Sequence, residues 1–179
     1  MRTVFLMIAR VLYDKGYQEY VDAARIIRRE CPDAEFWLLG KIDEEYPNHV
    51  PGEVVNRDHQ EGIIKYLGFS SEVKSIEAQA DCIVLPSYHE GLSRVLIEAL
   101  AMGKPIITSD IPGCKETVED GINGYIVPPR NVPALLDAIH KFIALSTEER
   151  RLMGKHGREK AEREFDVKNV IAVYRKITG

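Results

Sequence analysis

Short apolar runs alternate along this chain with stretches of helical spacing, and that alternation constrains its fold more than any other feature. Thr3–Ala9 (TVFLMIA), Ala34–Leu39 (AEFWLL), Asp81–Pro86 (DCIVLP) and Pro105–Ser109 (PIITS) are nearly unbroken in hydrophobicity. A strand covered on both faces has no polar side to show, so it reads as a continuous apolar run. Ile63–Leu67 and Gly124–Val127 read as two further strands, the former stopped by Gly68. Helices are expected over Lys15–Glu30, where Tyr20, Val21, Ala24 and Ile27 recur at helical spacing, and from a Ser70 or Ser71 cap through Ala80. Further helices are expected over Leu92–Met102, Val132–Ala144, Thr147–Glu164 and Val167–Ile177, with short ones near Glu53–His59 and Lys115–Glu119. Strands separated by helices imply right-handed crossovers and a parallel sheet. The expected fold is therefore α/β: a Rossmann-like, doubly wound parallel sheet of about six strands, helices on both faces and a helical C-terminal tail.

A length of 179 residues suits one well-packed core, so 1–179 is expected to be a single domain. The net charge of −4 and the lack of a Lys/Arg-rich run argue against a nucleic-acid binder. Cys31, Cys82 and Cys114 are odd in number, widely spaced and without a C-x-x-C pair. Free thiols in a reducing, cytoplasmic setting are the simpler expectation. His49, His59, His89, His140 and His156 show no zinc-ligand spacing, so no metal site is expected. The apolar opening, Val4–Leu12, is interrupted by Arg10 and falls well short of the roughly 20 residues of a membrane span. It also lacks the flanks of a signal peptide, which makes it a core strand near an internal domain boundary.

In a doubly wound sheet, ligands bind beyond the strand C-termini where strand order reverses. The loop after the first strand carries Arg10, Lys15 and Gly16. Cations before a helix oppose its dipole but suit an anion, which the unpaired N–H groups of a helix start also favour. Arg can bind two phosphate oxygens while Lys acts as a point charge. Two ordinary surface cations are the alternative. The loop after Asp81–Pro86 places Glu90 just before a helix and Glu98 about two turns inside it. Gly91 removes a side chain where a ligand would approach and permits an unusual turn, while Leu92 and Ser93 would present free N–H groups. Eight residues of helix set the carboxylates on the order of 10–12 Å apart. That exceeds the roughly 6.5–9.5 Å of an inverting glycosidase pair but suits a nucleoside diphosphate sugar. Glu98 would accept from ribose hydroxyls, Glu90 from sugar hydroxyls, with the diphosphate between. A loop acid and a helix-surface charge are the bland alternatives, although Val95, Leu96, Ile97, Ala99 and Leu100 surround Glu98 with apolar neighbours. Gly113 and Glu116 mark another loop at the same edge, lining the sugar end or serving packing and capping.

Glu90-Gly-Leu-Ser-Arg-Val-Leu-Ile-Glu98 with its continuation to Gly113, the Arg10…Lys15-Gly16 pair and Glu119-Asp-Gly-Ile-Asn-Gly124 occur in one order along the chain. Together they resemble the family-4 retaining glycosyltransferases of the GT-B fold, in their C-terminal, donor-binding domain, and the resemblance runs through nearly the whole chain. It implies that Arg10 and Lys15 neutralise the diphosphate leaving group, that Glu90 contacts the transferred sugar and that Glu98 holds the ribose. The implied substrate-binding set is Arg10, Lys15, Glu90, Gly91, Leu92, Ser93, Val95 and Glu98, with Glu90, Lys15 and Arg10 as catalytic residues. It implies no cofactor and no metal, in keeping with the absence of a D-x-D motif from the sequence. The implied donor is a nucleotide-diphosphate sugar, UDP-linked in preference to GDP-linked. The implied acceptor is a hydroxyl of a saccharide or lipid-linked saccharide in bacterial surface polysaccharide or glycolipid synthesis.

Two departures stand out. Leu92-Ser93-Arg94 replaces the aromatic-Gly or Pro step of many relatives, leaving the role of Arg94 open. The N-terminal acceptor domain is absent, so the fragment by itself is expected to be inactive. The full enzyme would be cytoplasmic or peripheral on the cytoplasmic membrane face, with Val167–Ile177 crossing back onto the missing domain or packing on the core. Competing readings are a stand-alone nucleotide-sugar sensor, half of a related sugar-nucleotide epimerase and a flavodoxin-like receiver. The last lacks the acidic cluster or flavin loop it would need.

Overall fold

The computed structural model describes residues 1–165; the expected helix Val167–Ile177 lies outside them. The elements run β1 (Thr3–Ile8), α1 (Tyr17–Glu30), β2 (Ala34–Leu39), α2 (Gly52–Gln60), β3 (Lys65–Tyr66), α3 (Val73–Ala78) and β4 (Cys82–Leu85). They continue with α4 (Arg94–Ala101), β5 (Ile106–Ser109), β6 (Gly124–Val127), α5 (Val132–Ala144) and α6 (Thr147–Glu164). One six-stranded sheet has the order β3-β2-β1-β4-β5-β6, and its pairings are all parallel. The order reverses between β1 and β4, which opens the ligand crevice of a doubly wound sheet above those two strands.

Apolar sequence explains the arrangement. Thr3 to Met7 are all buried, and since successive side chains point to opposite faces, both faces of β1 are covered. On one face Phe5 stacks on Phe36 at 5.0 Å between ring centroids and meets Phe142 of α5 edge-on at 5.7 Å. Tyr20 of α1 joins this cluster edge-on to Phe36, and its hydroxyl donates to the carbonyls of Phe5 (3.1 Å) and Trp37 (2.8 Å). Its polar end is therefore satisfied inside the core. Among the described residues the last long helix is α6, which starts at a reciprocal capping box between Ser146 and Glu149.

Besides α4, which starts at Arg94 where Leu92 was expected, four elements differ from the sequence expectation. The first helix does not begin at Lys15. Tyr13–Lys15 form a 3₁₀ turn, and Gly16, at φ 86°, breaks the chain's course before α1. The third strand shrinks from Ile63–Leu67 to Lys65–Tyr66, because it is an edge strand between two left-handed glycines, Gly62 and Gly68. Neither Ser70 nor Ser71 caps α3: Ser70 Oγ accepts from the Glu72 N–H (2.9 Å) within the loop, and the helix starts at Val73. The helix expected over Lys115–Glu119 is a 3₁₀ turn over Lys115–Thr117. The short helix expected near Glu53–His59 is present as α2.

Candidate functional site

The loops after β1 and β4 are laced together at the C-terminal rim of the sheet. The Tyr88 N–H donates to the Asp14 carbonyl (2.8 Å), and Ser87 Oγ donates to the same carbonyl (3.3 Å). Gly16 is what allows the approach: a Cβ there would lie 2.1 Å from the Pro86 carbonyl oxygen. On this platform Lys15 Nζ meets Glu90 Oε1 at 2.8 Å and also donates to the His89 carbonyl (3.4 Å). Both side chains are mostly covered, with 18% of Lys15 and 15% of Glu90 exposed. The sequence places these two residues in one site, and the fold joins them directly.

Arg10 shares the rim but not the pair. It is exposed, and its guanidinium lies over the Tyr46 ring at 4.3 Å. Around the turn, α4 begins at Arg94 and not at Leu92, because Ser93 is its N-cap and accepts from the Leu96 N–H (3.3 Å). Two expectations need correction as a result. The Ser93 N–H is not free for a ligand, since it donates to the Gly113 carbonyl (3.0 Å). Glu98 stands only at the start of the second turn of α4. The helix N–H groups without an intrahelical acceptor are those of the first turn, Arg94 and Val95 among them.

Gly91 is exposed, with nothing within 4 Å of where a Cβ would stand. It is absent from the left-handed residues, so the unusual turn expected there is not made. The left-handed glycine is Gly113, at φ 91°, where a Cβ would lie 1.9 Å from the Gly91 carbonyl oxygen. Its N–H donates to Glu116 (2.8 Å), so Gly113 and Glu116 shape and brace the Glu90–Gly91 loop from below. Leu92 is 58% exposed, an apolar surface on the same rim. Arg94 is exposed, and its charge acts on Glu98.

Glu98 is only 8% exposed, which rules out an ordinary helix-surface charge. Burial pushes its carboxyl up to about 8, helped by the nearby Glu77 and opposed by Lys74 and Arg94. Glu77, on α3, is 1% exposed, and burial pushes it up to about 7. The sequence reading passed over Glu77, because one Glu among Lys74, Ser75 and Gln79 looks like a solvated helix face. It also missed a rim cluster. The Tyr88 hydroxyl donates to Glu19 Oε1, and Arg130, itself at φ 56°, lies over the Tyr88 ring at 4.4 Å.

The two buried acids carry a pH prediction. In the folded state both hold their protons above the ordinary carboxylate value of 4.5. Folding therefore takes up protons, and their contribution to stability falls as pH rises from about 4.5 to about 8. Thermal unfolding across that range should show a smaller decline in Glu77→Gln than in the parent chain. An identical decline would mean that Glu77 is not a source of it.

Among the described residues, no group of three or more His, Cys, Asp or Glu could hold a metal ion. None of their helices is long and apolar enough to cross a membrane. The structure of HepE from Anabaena in complex with UDP superposes with a TM-score of 0.82 over 98% of this chain and 48% of that one, at 23% identity. The C-terminal domain of a glycosyl transferase group 1 family protein (LpcC) from Francisella tularensis matches with a TM-score of 0.76 at 21% identity, covering 91% of this chain and 85% of that one. At such identities these likenesses speak for the fold. In sequence, the chain is 34% identical over 151 residues to N,N'-diacetylbacillosaminyl-diphospho-undecaprenol alpha-1,3-N-acetylgalactosaminyltransferase from Campylobacter jejuni. That alignment takes in 84% of this chain and 38% of the relative, so the chain spans well under half of the Campylobacter protein. The family profile described as "Glycosyl transferases group 1" matches residues 1–160, which include the Lys15–Glu90 pair, the α4 turn and the buried Glu98. The chain belongs to the glycosyl transferases group 1 family.

Proposed function

We propose that this chain is the donor-binding domain of a retaining glycosyltransferase that takes a glycosyl group from a nucleotide-diphosphate sugar, UDP-linked in preference to GDP-linked. The observation that carries the reading is the Lys15–Glu90 pair at the β1/β4 switch point, beside the start of the helix that holds Glu98. Lys15 and the first-turn N–H groups of α4 form a preorganised positive site for a diphosphate. Arg10 adds a second cation once it leaves the Tyr46 ring. Glu90 would hold hydroxyls of the transferred sugar and Glu98 those of the ribose. The leaving-group charge would then be met by cations and helix dipole, without a metal. The HepE complex with UDP supports the choice of nucleotide, since it shares this fold.

The acceptor would be a saccharide or lipid-linked saccharide in bacterial surface polysaccharide or glycolipid synthesis. The name of the Campylobacter relative, with its diphospho-undecaprenol, favours the lipid-linked class. A second, N-terminal domain would bring the acceptor site, and the whole enzyme would work in the cytoplasm or on the cytoplasmic face of the membrane. Support for a single C-terminal unit comes from the Francisella domain, most of whose length this chain covers.

Calorimetry on the Glu98→Ala variant tests the division of labour. UDP affinity should fall by roughly 10-fold or more, the weight of hydrogen bonds to a charged acceptor. Binding of inorganic pyrophosphate should not change. Equal losses for both ligands would remove Glu98 from the ribose subsite.

A further inference from the structure

We propose that Tyr88 is a positioning residue that acts through Glu90: anchored on Glu19 and covered by Arg130, it keeps the loop after β4 in place once a diphosphate draws Lys15 away from Glu90. The inference rests on the reading of Lys15 as the diphosphate cation and extends it to residues outside the donor site.

The hydrogen bonds that tie residues 87–90 to the turn Tyr13–Lys15 end on Asp14 and Lys15. The Asp14 carbonyl takes the Tyr88 N–H (2.8 Å) and Ser87 Oγ (3.3 Å), whereas Glu90 is held by the Lys15 ammonium (2.8 Å). A diphosphate puts a second anion on that ammonium, and its own charge repels the Glu90 carboxylate at short range. The contact that orders Glu90 in the empty site is therefore the one that ligand binding weakens. An anchor independent of Lys15 is needed to keep the loop seated.

The Tyr88 side chain reaches two other elements. Its hydroxyl donates to Glu19 Oε1 on α1, and a hydrogen bond to a carboxylate is stronger than one between neutral groups. The Arg130 guanidinium, from the loop between β6 and α5, covers its ring at 4.4 Å. Local stability explains neither partner. Glu19 leaves its Oε2 buried without a hydrogen-bond partner, a cost that an apolar side chain would avoid. Arg130 holds φ at 56°, in the left-handed region, one residue before Asn131, the N-cap of α5. Two unfavourable placements thus meet at one ring, two residues from Glu90, and strain kept in this way marks a functional constraint.

The experiment is amide hydrogen exchange of this chain, read by NMR at the N–H of residue 88, whose bond to Asp14 breaks when the loop lifts. The parent should protect that N–H with and without saturating pyrophosphate. Tyr88→Phe keeps the ring under Arg130 but loses the hydroxyl. Its exchange should stay within about threefold of the parent when empty and rise roughly 10-fold or more with pyrophosphate bound. Lys15→Met combined with Tyr88→Phe should show that opening without any ligand, beyond the product of the two single effects. Glu19→Gln still offers an oxygen to the Tyr88 hydroxyl and should match the parent, whereas Glu19→Ala should match Tyr88→Phe. Exchange in the double variant equal to that of Lys15→Met alone overturns the proposal. So does an equal acceleration at the Leu6 N–H in β1, which would mark a general loosening of the fold. Pyrophosphate that fails to bind the parent would sink the Lys15 reading instead, and the ligand-free double variant would still decide whether Tyr88 anchors the loop.

Discussion

Alanine at Gly113 is expected to destabilise the chain by about 3 kcal/mol or more and to displace Glu90. The backbone at Gly113 has φ 91°, a region that side chains with a Cβ rarely occupy. The added Cβ would also stand 1.9 Å from the Gly91 carbonyl oxygen and 2.8 Å from that of Glu90. Both obstacles are backbone, so no rotamer change relieves them, and the loop that carries Glu90 has to move. For a chain of this length the loss corresponds to a fall in melting temperature of roughly 6–12 °C. Loss of UDP binding at temperatures where the variant is still folded should accompany it. Gly91→Ala is the matching control. Its Cβ enters open space on a backbone outside the left-handed region, so its melting temperature should stay close to that of the parent chain. A Gly113→Ala variant as stable as the parent would mean that the loop yields, and that the close packing beneath Glu90 is not rigid.

Lys15→Met is expected to weaken UDP and pyrophosphate alike, by on the order of 10- to 100-fold. Two effects of one sign add here. The variant removes the ammonium that a diphosphate would take, and it leaves Glu90, now without its 2.8 Å partner, as an uncompensated negative charge beside that diphosphate. Methionine keeps most of the side-chain volume, so packing against the β4 loop is preserved. Arg10→Ala should cost less, because Arg10 is exposed and rests on the Tyr46 ring. Binding by the parent chain should weaken with added salt, and by less in Lys15→Met. If Lys15→Met left pyrophosphate affinity intact, the diphosphate subsite would have to lie elsewhere on the rim.

Much of the fold can be read without coordinates, because its causes are local. β1 is an apolar run whose residues are buried on both faces, α6 begins at a serine with glutamate three residues on, and α5 begins at Asn131, whose side chain accepts from the Ala134 N–H. Such signals act within a few residues of chain. The mistaken details share a physical origin as well. Gly16 looks like an ordinary helix-start glycine until the Pro86 carbonyl is found against it, and β3 looks like a full strand until its edge position leaves it a single neighbour. Ser93 looks like a free donor until the loop after β5 arrives to accept from it.

By itself the sequence determined the elements, their alternation and hence a parallel doubly wound sheet, together with the loops in which Arg10, Lys15 and Glu90 had to lie and the helix that carries Glu98. Periodicity and capping encode these over distances of a few residues. Tertiary structure alone decided which of those groups meet. Lys15 and Glu90 are 75 residues apart in the chain and 2.8 Å apart in space, because β1 and β4 are neighbours in the sheet. It also decided that Glu77, on a short polar helix, is buried near Glu98. Burial and long-range charge arise from what the crossovers bring together, and no local pattern records that.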